Sequence, residues 1–392
     1  MVARRFARGF ALVALIGLAR APIAAAKDDP AAGKPAGKAL GELRMTVQTL
    51  LDGQREVAAK AKDAVAAQVI DEVRALLAGD GPTGASPAVV EESEPKPWLE
   101  ASWRRIEPQA TKLAESADPS FAAVGGLVRQ VPDVVRALRH LNRRRVPCGL
   151  KAFRFHAARS LGCVLHARYL AAAGFVEISK RPSGFHGEDA KDPNATPQGL
   201  AAAGASIMAM YPLLETIDIL LDTFIHRLPL LVPGEASIAM GTWTGAKEAA
   251  SVLLNAGDAA KDGREIPDGV CYPAPGSDET SRQFWRKGEL PPPVLGVDVG
   301  SLGCPVTVSF YGRGTPRAVE AKLVSARGEV IACHVVTPEA PLNPGAAWPI
   351  HVAQSVALIP KAPLDSSTTF TATVRCRLGE TPWEKTWRFT TR

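Results

Sequence analysis

The sequence predicts an α+β protein: a helical N-terminal region, a mixed central unit and a C-terminal all-β sandwich. Three observations carry this. Apolar residues recur at spacings of three and four through the first half of the chain. Helical periodicity then gives way to short strand-like runs after Pro233-Gly234. From about Cys271 onward, runs alternating apolar and polar residues are separated by turn residues.

The first 26 residues read as an export signal. Arg4, Arg5 and Arg8 give a positive start, Phe10 to Ala19 a short apolar run, and Ala24-Ala25-Ala26 a small-residue cleavage site. The run is too short for a bilayer, which needs roughly 20 apolar residues. The expected location is outside the cell or in the periplasm and cell envelope, with no transmembrane segment after cleavage. Six cysteines follow (Cys148, Cys163, Cys271, Cys304, Cys333, Cys376), none in a CxxC. In an exported chain disulfides are the first expectation, with Cys304 and Cys376 able to bridge the two sheets and Cys333 competing.

The formal charge of +6 falls to +2 once Arg4, Arg5, Arg8 and Arg20 leave with the signal. That balance offers no footprint for nucleic acid. Arg143-Arg144-Arg145 reads mainly as a solvated helix end. The remaining chain of about 366 residues suggests two or three domains.

Lys27 to Ala39 reads as a flexible lead-in. Leu43, Val47, Leu50 and Leu51, then Val65, Val69, Ile70, Val73, Leu76 and Leu77, predict helices. Gly79 to Pro82 ends them, and Glu91 to Pro97 reads as a linker. Trp98 to Leu113 and Phe121 to Leu138 are further amphipathic stretches, so 27–133 is a helical region without a chemical motif.

In the central unit, 134–272, helices are expected at Val134 to Arg144, at Phe153 to Ala172, after the Thr196-Pro197 start, and over Leu213 to Phe224. Strands are expected at Ser237 to Trp243 and Ala250 to Asn255. The C-terminal part, 273–392, carries runs at Pro305 to Tyr311, Ala318 to Ser325, Val330 to Val336, Ile350 to Leu358, Thr369 to Arg377 and Thr386 to Thr390. This is the pattern of a sandwich of roughly seven strands.

Four of the seven histidines (His156, His166, His186, His226) and the Glu188-Asp189 pair fall between Leu141 and Gly241. His156 reads as a residue near a helix start. In an extended segment residues two apart point the same way, so His186 and Glu188 are expected to face one cavity. His226 follows a helix C-terminus, where the dipole favours a cation, and His166 sits one turn before Tyr169. Such a group can hold a zinc-type ion or act as acid and base. No HExxH, GxSxG, phosphate-binding glycine loop or Cys nucleophile beside a His is present. No residue is assigned a catalytic role. Asn194-Ala195-Thr196 fits a glycosylation sequon, which matters only in a eukaryotic secretory pathway.

Five segments, spread over residues of about 134 to 272, resemble the bacterial SCP-like branch of the CAP superfamily. They are Asn142 to Arg145 with Gly149-Leu150 ("N-x-x-R … G-L"), His166 to Leu170 ("HA-x-Y-L"), His186 to Glu188 ("H-x-E"), Thr196 to Gly199 ("T-P-x-G"), and His226 to Leu231 with Pro233 and Ile238 to Gly241 ("HR-x-x-L-L-x-P … I-G-x-G"). The resemblance implies a CAP-type α-β-α sandwich with a cleft lined by His166, His186, Glu188 and His226. It implies zinc in some members, here through His186, Glu188 and His226. Two departures bear on the metal: Leu141 stands where many eukaryotic members have the first cavity His, and no "G-E-N" supplies the second-helix Glu. The C-terminal part resembles bacterial Ig-like modules through Pro363 to Phe370 and the closing Trp387 to Thr391, which implies a spacer or adhesion role.

The expected function is binding of a small molecule, lipid, peptide or cell-envelope component in the His/Glu-lined cleft, with zinc as an optional cofactor. The rivals are a metal-assisted hydrolase, in which His186 or His226 activates water with Glu188 as partner, and a scaffold acting through the Ig-like part.

Overall fold

A computed structural model describes residues 34–78, 98–116, 118–234, 237–246, 248–255, 266–285, 289–344 and 351–392. The export signal expected over 1–26 and the linker at 91–97 lie outside the described residues. The fold is α+β, with helices concentrated before residue 225 and strands after 236.

Five helices come first: α1 (Lys34–Lys60), α2 (Ala64–Ala78), α3 (Trp98–Trp103), α4 (Glu107–Ala114) and α5 (Pro119–Arg129). Helix α1 begins inside the stretch read as a flexible lead-in. These helices are tied into the centre by polar bolts as well as apolar packing. Asp63 caps α2 through the Ala66 N–H at 3.0 Å and pairs with Arg139, both side chains being buried. The Gln68 amide bonds both backbone groups of Phe155, accepting from its N–H at 3.0 Å and donating to its carbonyl at 3.1 Å. It thus acts as one residue of a neighbouring strand.

The central unit follows as α6 (Val131–Arg145), β1 (Arg154–Phe155), α7 (Ala157–Ala173), α8 (Phe175–Lys180), α9 (Pro197–Ala203), β2 (Ile207–Ala209), α10 (Leu213–Leu221), β3 (Ser237–Thr244) and β4 (Ala249–Asn255). The sheet order is β1-β3-β4-β2, with β1 parallel to β3 and the other pairs antiparallel. Arg154–Phe155, read from sequence as part of a helix, is instead an edge strand. His156 then caps α7, its ring accepting from the Arg159 N–H at 3.4 Å. Alternate residues of the sheet feed two cores: Ile238, Met240 and Leu253 face one, Ala239, Ala250 and Val252 the other. Helix α7 crosses β3 in backbone contact at Gly241, where a Cβ would lie 2.3 Å from the Val164 nitrogen.

The expected solvated end of α6 holds for Arg143, which is exposed, and is corrected at Arg145. Arg145 is fully buried, and its guanidinium donates to the carbonyls of Lys151, Leu230 and Val232 at 2.7, 2.7 and 2.6 Å. It also lies 3.9 Å over the Phe153 ring. Asn142 brackets Phe153 as well, donating to its carbonyl at 3.0 Å and accepting from its N–H at 2.7 Å. Both polar residues of the N-x-x-R segment therefore staple the chain that follows α6.

Strands β5 (Val270–Tyr272), β6 (Val306–Ser309), β7 (Pro316–Ser325), β8 (Cys333–Val336), β9 (Ser355–Pro360), β10 (Thr369–Leu378) and β11 (Thr381–Thr390) form two sheets, ordered β5-β6-β9-β8 and β11-β10-β7. One core fills the space between them, with Val306, Val308, Leu323, Val356, Phe370, Trp387 and Phe389 among its members. Strands β10 and β11 bury alternate residues, as one solvent-facing side requires. Strand β9 is buried at all six positions. Its Val356 and Leu358 face the sandwich core. Its Ala357 and Ile359 face a further core that contains Phe224, Ile225 and Leu228 of the central unit. Arg227, fully buried, donates to the Pro305 carbonyl and lies 4.4 Å over the Tyr272 ring, while the Tyr311 hydroxyl donates to the Leu228 carbonyl at 2.8 Å. The sandwich is docked, not tethered.

The disulfide framework is a second correction. All six cysteines are free thiols, none in disulfide geometry. They are used as small apolar residues in packed cores, Cys376 between the sheets and Cys304 against the Arg227 guanidinium. Burial pushes the thiols of Cys148, Cys163, Cys271, Cys304 and Cys333 up to about 12 and that of Cys376 to about 11. With thiolate this scarce, the native protein is expected to resist alkylation at neutral pH. The unreduced, denatured chain should take up six adducts by mass. Fewer than six would contradict free thiols. Among the described residues no helix is long and apolar enough to cross a membrane.

Candidate functional site

Helix α7 carries His166 on its inner face with no solvent exposure. Its Nδ1 lies 2.9 Å from Glu188 Oε1 and its Nε2 2.9 Å from the Phe185 carbonyl. A ring with a proton on each nitrogen satisfies both acceptors at once. The second Glu188 oxygen accepts the Thr196 N–H at 2.6 Å, just ahead of α9. Thr196 Oγ1 caps that helix by accepting from the Gly199 N–H at 2.9 Å. Tyr169 stacks on His166 at 5.8 Å, and its hydroxyl accepts from Arg181 and from the Asp189 N–H at 3.0 Å. Arg181 reaches on to Asp192 at 2.9 Å. These residues form a buried clasp that closes the 181–196 loop onto α7.

Gly199 is a requirement of this clasp, since a Cβ there would sit 2.3 Å from Glu188 Oε1. Gly199→Ala is expected to cost about 1–3 kcal/mol through overpacking. Thermal unfolding would report it, and an unchanged midpoint would contradict the close contact.

The shared orientation expected of His186 and Glu188 does not hold. His186 ends a tight 3-10 turn, Gly184–His186, so the two-residue alternation of an extended segment does not apply. Glu188 points inward with both oxygens spent, while His186 is exposed along its outer edge. Glu188 therefore belongs to the clasp and not to the lining of an open cleft. His186 Nδ1 faces the Ala203 carbonyl at 3.1 Å, which leaves Nε2 free. Burial of the ring's inner side holds its pKa below the ordinary imidazole value. The Ala203 hydrogen bond opposes this, and His226 and His166 both add to the depression.

His226 stands five residues beyond the end of α10, in a turn, and is held by a contact other than the helix dipole expected from sequence. Its Nδ1 lies 3.0 Å from Glu289 Oε2. The same carboxylate accepts the N–H groups of Phe224, Ile225 and His226 at 2.8, 2.8 and 3.3 Å. The His226 ring remains 19% exposed while the Glu289 side chain is wholly buried. Sequence reasoning missed Glu289. The one signal available is a carboxylate set at the start of the apolar, proline-rich run Leu290 to Val294.

The zinc set expected from sequence does not fit these residues. Glu188 is committed to His166 and Thr196, which leaves two imidazole nitrogens where zinc is held by three or four protein ligands. Among the described residues no group of three or more His, Cys, Asp or Glu side chains is arranged to hold a metal ion. Two shallow concavities lie elsewhere, one along Glu329–Ala332 and Lys361–Asp365, the other at Ser281–Gln283 with Arg392; neither includes these histidines. The histidine site is preferred to either because neither concavity includes an imidazole. The site is an open surface around His186 and His226. Trp285 packs nearby in the core that holds Phe224 and Ile225, its ring 5.4 Å from that of Tyr211 at a right angle.

With this geometry established, comparison against protein-family models, curated proteins and solved structures finds no match in any of the three.

Proposed function

We propose that the protein is a secreted member of the SCP-like branch of the CAP superfamily with an appended Ig-like sandwich, and that it binds a ligand at the His186/His226 surface in the cell envelope or outside the cell. The observation that carries the ligand site is the state of the two rings. Each has Nδ1 engaged by a fixed acceptor, so each offers Nε2 as a hydrogen-bond acceptor. Such a pair suits a ligand that presents hydroxyl or N–H donors.

The family reading is supported by the roles its motif residues take. Asn142 and Arg145 staple the chain, His166, Glu188, Thr196 and Gly199 make the clasp, and the mixed sheet is covered on both faces. The Ig-like reading is supported by the strand orders. Numbered A to G from β5, they are A-B-E-D and G-F-C, the arrangement of constant-type immunoglobulin domains.

The test is saturation-transfer NMR on the full chain with a panel of small polyols, amines and acyl chains. Binding is expected to vanish in a His186→Ala/His226→Ala double variant that unfolds at the wild-type temperature. Binding that survives in that variant would sink the proposal and favour action through the sandwich.

A hydrolase reading has one observation in its favour. His226 with Glu289 behind it is the geometry of a base held by an orienting carboxylate. The partner in that reading is Glu289, because Glu188 has no free oxygen. Ester or amide turnover lost in His226→Ala and kept in His186→Ala would favour it.

A further inference from the structure

We infer that Glu289 is the positioning residue of the histidine surface, so that the site is completed by the C-terminal part of the chain and is not contained in the central unit. This rests on the proposed ligand role of His226, and its test is independent of any ligand. Glu289 lies 63 positions from His226 in sequence, beyond the start of the sandwich at β5. Its Oε1 takes the Phe224 N–H, and its Oε2 takes the Ile225 N–H, the His226 N–H and the His226 ring. A carboxylate has no proton to donate here, so the ring must place its own proton on Nδ1. The turn and the tautomer are thereby set by one group, and Nε2 is left as the acceptor. The carboxylate is itself wholly buried. Phe284 and Trp285, ahead of it in sequence, and Val294, after it, share a core with Phe224, Ile225 and Leu228. A glutamine keeps the shape but brings an amide NH2 toward a cluster of N–H donors, so one of its two head atoms is mismatched.

The experiment is nitrogen-15 NMR of the histidine rings in the full chain at mildly alkaline pH, with the His226 signals assigned by their loss in His226→Ala. The wild type is expected to show a single His226 species, protonated at Nδ1 and unprotonated at Nε2. Glu289→Gln is expected to convert this to a mixture or to the opposite tautomer, while the signals of the buried His166 ring stay in place. Glu289→Asp, which keeps the charge, is expected to retain the Nδ1–H form in part. A wild-type His226 protonated at Nε2 would overturn the inference even if the variants failed to fold, and so would an unchanged tautomer in a folded Glu289→Gln protein. The expected tautomers combined with no ligand binding would retire the proposed function and leave the positioning role intact.

Discussion

A chain ending at Tyr272 is expected to lose its cooperative unfolding transition and to aggregate, although it contains every motif residue of the central unit. Phe224, Ile225 and Leu228 are almost wholly buried, and their partners include Phe284, Val294, Leu302, Val336, Ala357 and Ile359. Burying one such side chain is worth about 1.5–3 kcal/mol. Three of them together are on the scale of a domain's entire stability, about 5–15 kcal/mol. The cut also strands four polar groups. Arg227 loses the Pro305 carbonyl, and three backbone N–H groups lose Glu289. Each buried donor left unpaired costs about 1–3 kcal/mol. Circular dichroism melting and size-exclusion chromatography would decide the matter. A monomeric 27–272 fragment that melts as sharply as the full chain would contradict the shared core.

Arg145→Leu is expected to destabilise the protein by about 3–5 kcal/mol, the scale on which removal of one partner from a buried charged contact is felt. The guanidinium serves three carbonyls from two chain segments and stacks on Phe153, so the substitution orphans three acceptors and opens a gap over the ring. Burial pulls the Arg145 pKa down to about 10, which still leaves it charged at neutral pH. Lysine does not substitute for it, because one ammonium cannot reach three carbonyls in the fixed fork of a guanidinium. Arg145→Lys is therefore expected to recover little of the loss. For a cooperative unit of this size a fall in Tm of roughly 4–6 °C is anticipated. A shift of one or two degrees would mean that water replaces the guanidinium and that the staple is unimportant.

What was legible in the sequence follows from which forces are local. Strands β10 and β11 alternate apolar and polar residues because one face meets solvent, and that period is visible residue by residue. Strand β9, Ser355-Val356-Ala357-Leu358-Ile359-Pro360, does not alternate. Its continuous apolarity is the trace of a second buried face, where the sequence reading expected alternation over Ile350 to Leu358. The clasp histidine and the Thr196 cap lay in recognisable local patterns. Arg145 was misread because a run of three arginines at a helix end has the composition of a solvated face. Only the approach of residues 230–232 from 85 positions away makes it a core residue. His186 and Glu188 were misread because the chain enters the segment through a 3-10 turn, which cancels the period of two. The cysteines were read from compartment when packing decides their state. Glu289 carried almost no signal, since nothing in local spacing ties a carboxylate to an imidazole so far along the chain.

Hydrogen exchange over the whole chain tests the docked, shared site most directly. The amides of Phe224, Ile225 and His226 are held by a buried carboxylate from the C-terminal part, and those of β9 by its sheet neighbours under the same core. Peptides covering 222–232 and 353–362 are expected to be protected to the same degree and to open together, at the free energy of global unfolding. Exchange of 222–232 within seconds, while 353–362 stays protected, would mean that the sandwich folds apart from the histidine surface and that Glu289 does not complete it.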